Sequence, residues 1–486
     1  MATESAMDPV DRSSAHQSAT RGPVTSSERS LAPDLARGSV LLFIALANVS
    51  TYFYGRVLEP GHRPFGGSRL DDILDVLVAT VVDRRSYPMF ALLFGYGMVQ
   101  LSRRQAAAGA SPRGVRTVLA RRNLALVLFG AVHALLLFHD DILGPYGAIG
   151  LVGLLLLGRS PRVLSGWIAV TTVSLALALG ATDAGTAGDV PRESADYAVS
   201  AVDRVLSWGA GLVEVTLALA LLGPTLIGVL MARAGLLDRP WEHVPVLRRM
   251  AAIGIPLGLV CGVPYGLTVG GFWSPGPLAA ALIGVLHVAT GVAAGTGYAA
   301  AFGLWAARRR PGGRATRALA ATGERSLTCY LWQSVVFAPL LAAWGLGLGD
   351  RLGTTAGYGL ALAAWTSSVV LAVLLARTGR RGPAEVLLRR LTYGRRGHAA
   401  RPRSDRPDAA SSQLVDAGSA PRQISLPEQR GPEDHRHGRR DTADGVGGVV
   451  PVPRDERETH RGADEEGHAH DQDGAGTPAR PQHPGK

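Results

Sequence analysis

Between residues 35 and 376 the chain alternates blocks of roughly 20 apolar residues with short connections, and every second connection is rich in arginine. A helix needs about 20 largely apolar residues to cross a bilayer core. No water reaches the backbone there, so each crossing segment must satisfy its own N–H and C=O groups as a helix. Spans are expected near 35–54, 74–101, 119–138, 142–158, 163–181, 208–232, 249–269, 277–305, 319–345 and 355–376. The second is interrupted by Asp83 to Pro88, which predicts a short membrane-surface or re-entrant piece and then a helix starting near Pro88.

The arginines test this division. Arg103, Arg104, Arg113, Arg116, Arg121 and Arg122 lie between the second and third blocks. Arg159 and Arg162, then Arg233, Arg239, Arg248 and Arg249, then Arg308, Arg309, Arg310, Arg314 and Arg317 occupy alternate later connections. A last group, Arg377 to Arg396, follows the final block. The other connections are acidic or nearly uncharged, as in His139-Asp140-Asp141 and the loop over 182–206. Cytoplasmic loops concentrate Lys and Arg, so both termini are expected in the cytoplasm. The chain reads as an all-α polytopic membrane helical bundle of about ten transmembrane helices in the bacterial inner membrane. Residues 34–396 form the membrane domain, and the polar stretches 1–33 and 397–486 read as disordered cytoplasmic tails. No 7–15-residue apolar run occurs in 1–33, so no signal peptide is expected and the first span directs insertion.

A net charge of +11 would suit nucleic acid, but its distribution argues against that partner. Residues 397–486 carry 13 Lys or Arg against 16 Asp or Glu, and the excess arginine sits in loops that orient spans. The lipid bilayer is the expected partner. The two cysteines, Cys261 and Cys329, lie in separate spans and indicate no disulfide framework. His435, His437, His468 and His470 in the tail lack spaced thiols or carboxylates, so no metal site is expected. P-loop, G-x-S-x-G and H-E-x-x-H motifs are absent from the sequence.

The richest stretch is Arg121 to Leu157, two apolar segments joined by His139-Asp140-Asp141. His133 lies inside the first segment, and an ionisable group inside a span is a functional-site hypothesis by default. Glu214 falls at a similar depth in another span, and His287 lies deeper, about ten residues into a third. Together with Asp140 and Asp141 they form one expected catalytic set in the outer half of the bundle. A histidine beside a carboxylate is a general-base arrangement. Each of these groups also has a plainer reading, as a polar staple between helices.

Arg122 and His133 are 11 residues apart, about three helical turns, and so share a face. Arg37 and Asn48 in the first span repeat that spacing. Arg37, Arg121 and Arg122 would hold an anionic cofactor, or else anchor the helices at the headgroups. Thr322, Ser326, Tyr330 and Gln333 form a polar stripe on the ninth span, with Thr322 as the expected N-cap. Asn48, Tyr330 and Gln333 are the substrate-binding candidates. Gly254, Gly258, Gly262, Gly266 and Gly270 recur every fourth residue, forming a slanting ridge for close helix packing.

Five stretches resemble one family in order: LARGSVLLFIALANV (35–49), MFALLFGYGM (89–98), the 121–151 hairpin, ATGERSLTCYLWQSVVFAPLL with WGLGL (321–348) and RGPAEVLLRRLTYG (381–394). They look like the YeiB-like family of bacterial multi-pass membrane proteins of unknown function. That family is similar to a wider group of ten-span acyltransferases, including sugar O-acetyltransferases and heparan-glucosaminide acetyltransferase-like proteins. The resemblance implies a cytoplasmic acyl-CoA and an extracytoplasmic acceptor such as an envelope glycan, lipid or small metabolite. Arg37 matches the first-span arginine of the O-acetyltransferase branch, whose catalytic histidine would fall at position 48. Here that residue is Asn48, which cannot act as a base, so His133 is the expected substitute and His62 a weaker one. Two other classes stay open: a transporter using His133, Glu214 and His287, and a non-catalytic membrane scaffold.

Overall fold

The computed structural model describes residues 30–394, apart from 60, 65, 184–187, 191–193 and 309–312. Nearly all of both tails, including the tail histidines, falls outside the described residues. Helix α1 runs Leu31–Val49, so the first helix begins three residues before position 34. It is followed by α2 (Arg69–Val81), α3 (Ser86–Ala107), α4 (Pro112–Leu136), α5 (Leu143–Gly153) and α6 (Pro161–Asp183). Then come α7 (Tyr197–Leu217), α8 (Leu222–Arg233), α9 (Val244–Val269) and α10 (Pro277–Ala307). The last four are α11 (Arg314–Glu324), α12 (Ser326–Leu341), α13 (Thr354–Arg377) and α14 (Pro383–Tyr393).

The chain is an all-α polytopic bundle. By length and composition, α1, α4, α6, α9, α10 and α13 can each cross a membrane, and α7 with α8 adds a seventh as a pair bent by 60°. The sequence places further spans at α3, α5 and α12, which length and composition in the structure do not single out. Of these, α5 and α12 are short, and much of all three is buried against other helices. A helix enclosed by helices need not be as apolar as one facing lipid, so hydropathy alone undercounts such spans.

Breaks within spans follow local chemistry. Helix α2 ends at Val81 and α3 restarts at Ser86 with Pro88 in its first turn, as the proline predicts. The expected span 208–232 is instead broken, and Leu219 takes a positive φ of 51° at the corner. The expected span 319–345 is also two helices. Thr322 lies inside α11 and returns its hydroxyl to Ala318 O at 2.9 Å, so it is not an N-cap.

The alternating connections gather at two ends. At one end, β1 (Arg56–Glu59) pairs antiparallel with β2 (Arg63–Pro64) and with β3 (Gly188–Val190), in the order β2-β1-β3. This small sheet joins the first loop to the 182–206 loop. Arg204 of α7 caps the neighbouring end of α4, donating to Ala134 O and Leu135 O at 3.2 and 3.0 Å. At the other end Arg103 donates to Ala232 O, and Arg233 donates to Arg159 O.

Lipid tails are as apolar as leucine, so helices in a membrane associate through close packing. The α9 ridge does this against two partners. A Cβ on Gly254 or Gly258 would collide with Ala293 or Ala294 of α10, and one on Gly266 or Gly270 with Thr80 or Val76 of α2. Gly262 leaves room for the guanidinium of Arg85. That fully buried arginine donates to Gly258 O at 2.6 Å and contacts His287 Nδ1 at 2.9 Å.

The first turn of α2 anchors the sheet end. Ser68 and Asp71 form a reciprocal capping box, and Asp71 Oδ1 accepts the Thr355 N–H at 2.7 Å from the start of α13. Burial, the largest influence, works against the charge, but the bonds from Thr355 and Ser68 hold its carboxyl below the usual range. Asp71→Ala leaves buried donors without an acceptor and is expected to cost about 2 kcal/mol. Denaturant unfolding of purified protein in detergent measures this. The contribution is present above the ordinary carboxylate pKa and is lost as pH falls through the lowered one.

Candidate active site

The sequence order of α4 and α5 places His133 and Asp141 eight residues apart across a tight connection. His133 is 3% exposed and its Nδ1 lies 2.8 Å from Asp141 Oδ1. Asp141 Oδ2 accepts the Gly144 N–H at 2.8 Å, at the start of α5, where a helix N-terminus favours negative charge. The carboxylate therefore accepts from Nδ1–H, which leaves the Nε2 lone pair of a neutral imidazole free. Among the described residues Nε2 is buried and has no hydrogen-bond partner. Gly130, one turn before His133, creates the space for the pair: a Cβ there would overlap Asp141 Oδ2.

Tyr330 of α12 closes this cluster. Its ring meets His133 edge-on at 5.3 Å, and its hydroxyl accepts from Ile142 N at 3.3 Å and reaches Asp141 Oδ1 at 3.5 Å. Tyr330 also lines a cavity of about 700 Å³. Phe90, Phe94, Leu126, Leu143 and Tyr146 make the apolar part of that wall. Arg37, Arg104, Arg122, Arg325, Arg381 and Arg389 make the cationic part, with Glu324 and Glu385 as its acids. Both acids are engaged. Glu324 pairs with Arg325 at 3.3 Å, and Glu385 accepts from Leu327 N, Thr328 N and Thr328 Oγ1 at 2.8, 3.1 and 2.5 Å. The arginines thus give the cavity an excess of positive charge.

These arginines are held differently. Arg37 pairs with Asp34 at 3.3 Å and donates to Leu93 O. Arg325 donates to Arg380 O and Ala321 O, tying α12 to the segment after α13. Arg122 lies over the Phe94 ring at 5.2 Å. Nη1 of Arg122 and Nη1 of Arg389 are buried and have no partner among the described residues. Tyr393 lies with them in the wall, and burial raises its phenol above the usual value against the pull of Arg122 and Arg104.

The structure brings together only part of the expected set. His133 and Asp141 meet, whereas Asp140 is exposed at the surface. Glu214 is exposed on α7 between Val213 and the strongly exposed Leu217, and so faces away from the cluster. His287 is fully buried elsewhere, against Arg85 and stacked on Tyr265 at 4.1 Å. Arginine has no acceptor, so His287 accepts a hydrogen bond from Arg85, which ties the start of α3 to α10. The five groups therefore do not share one site.

Of the cationic candidates, Arg37 and Arg122 line the cavity, while Arg121 is exposed outside its wall. Asn48 is half-buried and outside the wall. Gln333 donates to Leu41 O at 3.0 Å, bracing α12 on α1. Tyr330 is the substrate candidate that borders both cavity and cluster. Sequence reasoning misses Arg104, Arg325, Arg381, Arg389 and Gly130. Gly130 carries a signal, its i−3 spacing from His133. Arg389 carries another: Glu385, Leu388, Arg389, Thr392 and Tyr393 fall at helical spacing and all face the cavity. Among the described residues no group of three or more His, Cys, Asp or Glu is placed to hold a metal.

An all-α polytopic bundle with a buried His–Asp pair above an arginine-lined cavity defines the class of membrane protein. Comparison with known sequences adds the relatives. Residues 231–395 match the family model described as a protein of unknown function (DUF418). The chain is 27% identical to the uncharacterized protein YeiB of Escherichia coli (strain K12) over 399 residues, 76% of this chain and 98% of that one. It is 24% identical to the uncharacterized protein YxaH of Bacillus subtilis (strain 168) over 404 residues, 76% of this chain and 96% of that one. These matches bear out the resemblance to the YeiB-like family of unknown function.

Proposed function

We propose that this protein is a membrane-embedded acyltransferase that takes an acyl group from cytoplasmic acyl-CoA and passes it to a hydroxyl or amine of an envelope glycan, lipid or small metabolite. One observation carries this reading: a buried His133–Asp141 pair with an unpartnered Nε2 packs against Tyr330, which also lines a cavity with six arginines. The arginine-rich end is assigned to the cytoplasm by the distribution of charge, which puts the His133 end toward the exterior of an inner-membrane protein.

The cavity suits a thioester that carries phosphates. Arg122 and Arg389 offer unsatisfied buried donors for phosphate oxygens, and Phe90, Phe94, Leu126 and Leu143 suit the thioester end. When bound, acyl-CoA would supply an activated acyl carbon with a good leaving group. His133 Nε2 takes the proton of the acceptor as the new O–C or N–C bond forms, and returns it to the departing sulfur as the C–S bond breaks. Asp141 keeps the imidazole in the tautomer that makes this possible and offsets the imidazolium charge. Tyr330 touches His133 and also lines the cavity, so in this reading its ring swings aside for transfer. Asn48 takes no part.

A transporter reading draws less support, because Glu214 and His287 are dispersed and His287 is engaged by Arg85. The test is direct. Full-length protein in lipid nanodiscs is incubated with acetyl-CoA carrying a labelled acetyl group and with a membrane extract as acceptor source. Saturable coenzyme A binding and acceptor-dependent release of free thiol are the expected results. Absence of both, in protein that remains monodisperse, overturns the reading.

A further inference from the structure

We infer that Arg122 and Arg389 form a phosphate clamp that ties α14 to α4 in the wall of the cavity. This rests on and deepens the donor-site reading, because it concerns the same cavity and the same two unpaired nitrogens. Burying a guanidinium N–H with no acceptor is costly, and native proteins seldom leave one unpaired. Two cavity arginines each bury one such nitrogen, Nη1 in both cases. They come from elements far apart in sequence, α4 within the bundle and α14 beyond the final span. A single multiply charged group that accepts from both would satisfy both and cross-link the two helices.

The chemistry narrows the ligand. Nearby carboxylates do not fill the role: Glu385 is spent on the first turn of α12 and Glu324 on Arg325. A phosphate ester offers several strong acceptor oxygens and fits the forked geometry of arginine. Tyr393 stands beside Arg122 as a neutral hydroxyl that can donate a further bond. The opposite face of α14 carries exposed Leu387, Arg390 and Leu391. Arg390 is therefore the neighbouring cation on the same helix that lies outside the clamp.

The experiment uses full-length protein in phosphatidylcholine nanodiscs, with inorganic pyrophosphate as the probe and thermal unfolding as the readout. Wild type is expected to be stabilised by pyrophosphate. R122Q and R389Q are each expected to weaken its binding about tenfold or more, while R390Q binds as wild type does. R389K, which keeps the charge and loses the fork, is expected to recover part of the affinity. Unchanged melting temperatures of the ligand-free variants show that they fold. A second series in phosphatidylglycerol nanodiscs separates the sources. If wild type is already stabilised there without pyrophosphate and R389Q is not, the clamp stands and its phosphate is a lipid headgroup. Equal binding by wild type and R389Q, or equal loss in R390Q, overturns the clamp. Pyrophosphate binding without thioester cleavage would retain the clamp and reject acyl transfer, and cleavage with an unaltered R389Q would do the reverse.

Discussion

Under the proposed acyl transfer, His133→Gln is expected to lower the rate by about 10²–10⁴-fold while leaving coenzyme A binding unchanged, the range that general-base removal commonly costs. Glutamine keeps the approximate volume, and its amide can still donate to Asp141. It offers no basic nitrogen at the Nε2 position. Donor affinity rests on arginines across Tyr330 and should not move, so the loss appears in kcat and not in donor KM. Asp141→Asn should cost less than His133→Gln, because the base survives in a less favoured tautomer. Labelled acetyl transfer in nanodiscs, with coenzyme A binding followed separately, checks both. If His133→Gln transfers at the wild-type rate, the base lies elsewhere.

A large stability effect is expected at Gly228→Ala, which should destabilise the bundle by about 3 kcal/mol, at the upper end of ordinary overpacking. Helices α3 and α8 approach backbone to backbone, each through a glycine. A Cβ on Gly228 would collide with the carbonyl of Leu92, and one on Gly95 with the carbonyl of Thr225. No rotamer change relieves a clash with a backbone oxygen, so the helices must part. The intrinsic helix preference for alanine over glycine, about 1 kcal/mol, works in the opposite direction. Gly211→Ala on α7 isolates that preference, since nothing lies within 4 Å of the added methyl. It should be neutral or mildly stabilising. Unfolding midpoints of the two variants in a denaturing-detergent titration give the comparison. A Gly228→Ala protein as stable as wild type would show that α3 and α8 are not packed this closely.

Several features of this architecture are legible from residue order alone, each for a physical reason. The break before Pro88 follows from a missing N–H. The two ends of the bundle follow from arginine alternation. His133 and Asp141 are close in sequence, so a tight hairpin suffices to join them. Glu214 shows the limit: sequence gives its depth in a span but not its azimuth, and α7 turns it outward. His287 shows another, since its partner Arg85 is 202 positions away and no local pattern links them. The corner between α7 and α8 is masked by a continuous apolar run, although Gly223-Pro224 just beyond it is a punctuation signal. Arg389 escapes notice because it follows the last span, where arginine is ordinarily taken as an anchor.

Glu385 has a consequence for how the molecule is bounded. Helix α12 has no capping side chain of its own, as Arg325 precedes it without a side-chain cap. Its first amides are instead answered by a carboxylate from α14. One turn along α12 stands Tyr330, the partition in front of His133. The height of that partition is therefore set from outside the span, by a strut rooted between Pro383 and Tyr393. A chain shortened to the end of α13 would keep every candidate membrane crossing, yet it would lose the carboxylate that answers the first amides of the helix carrying Tyr330.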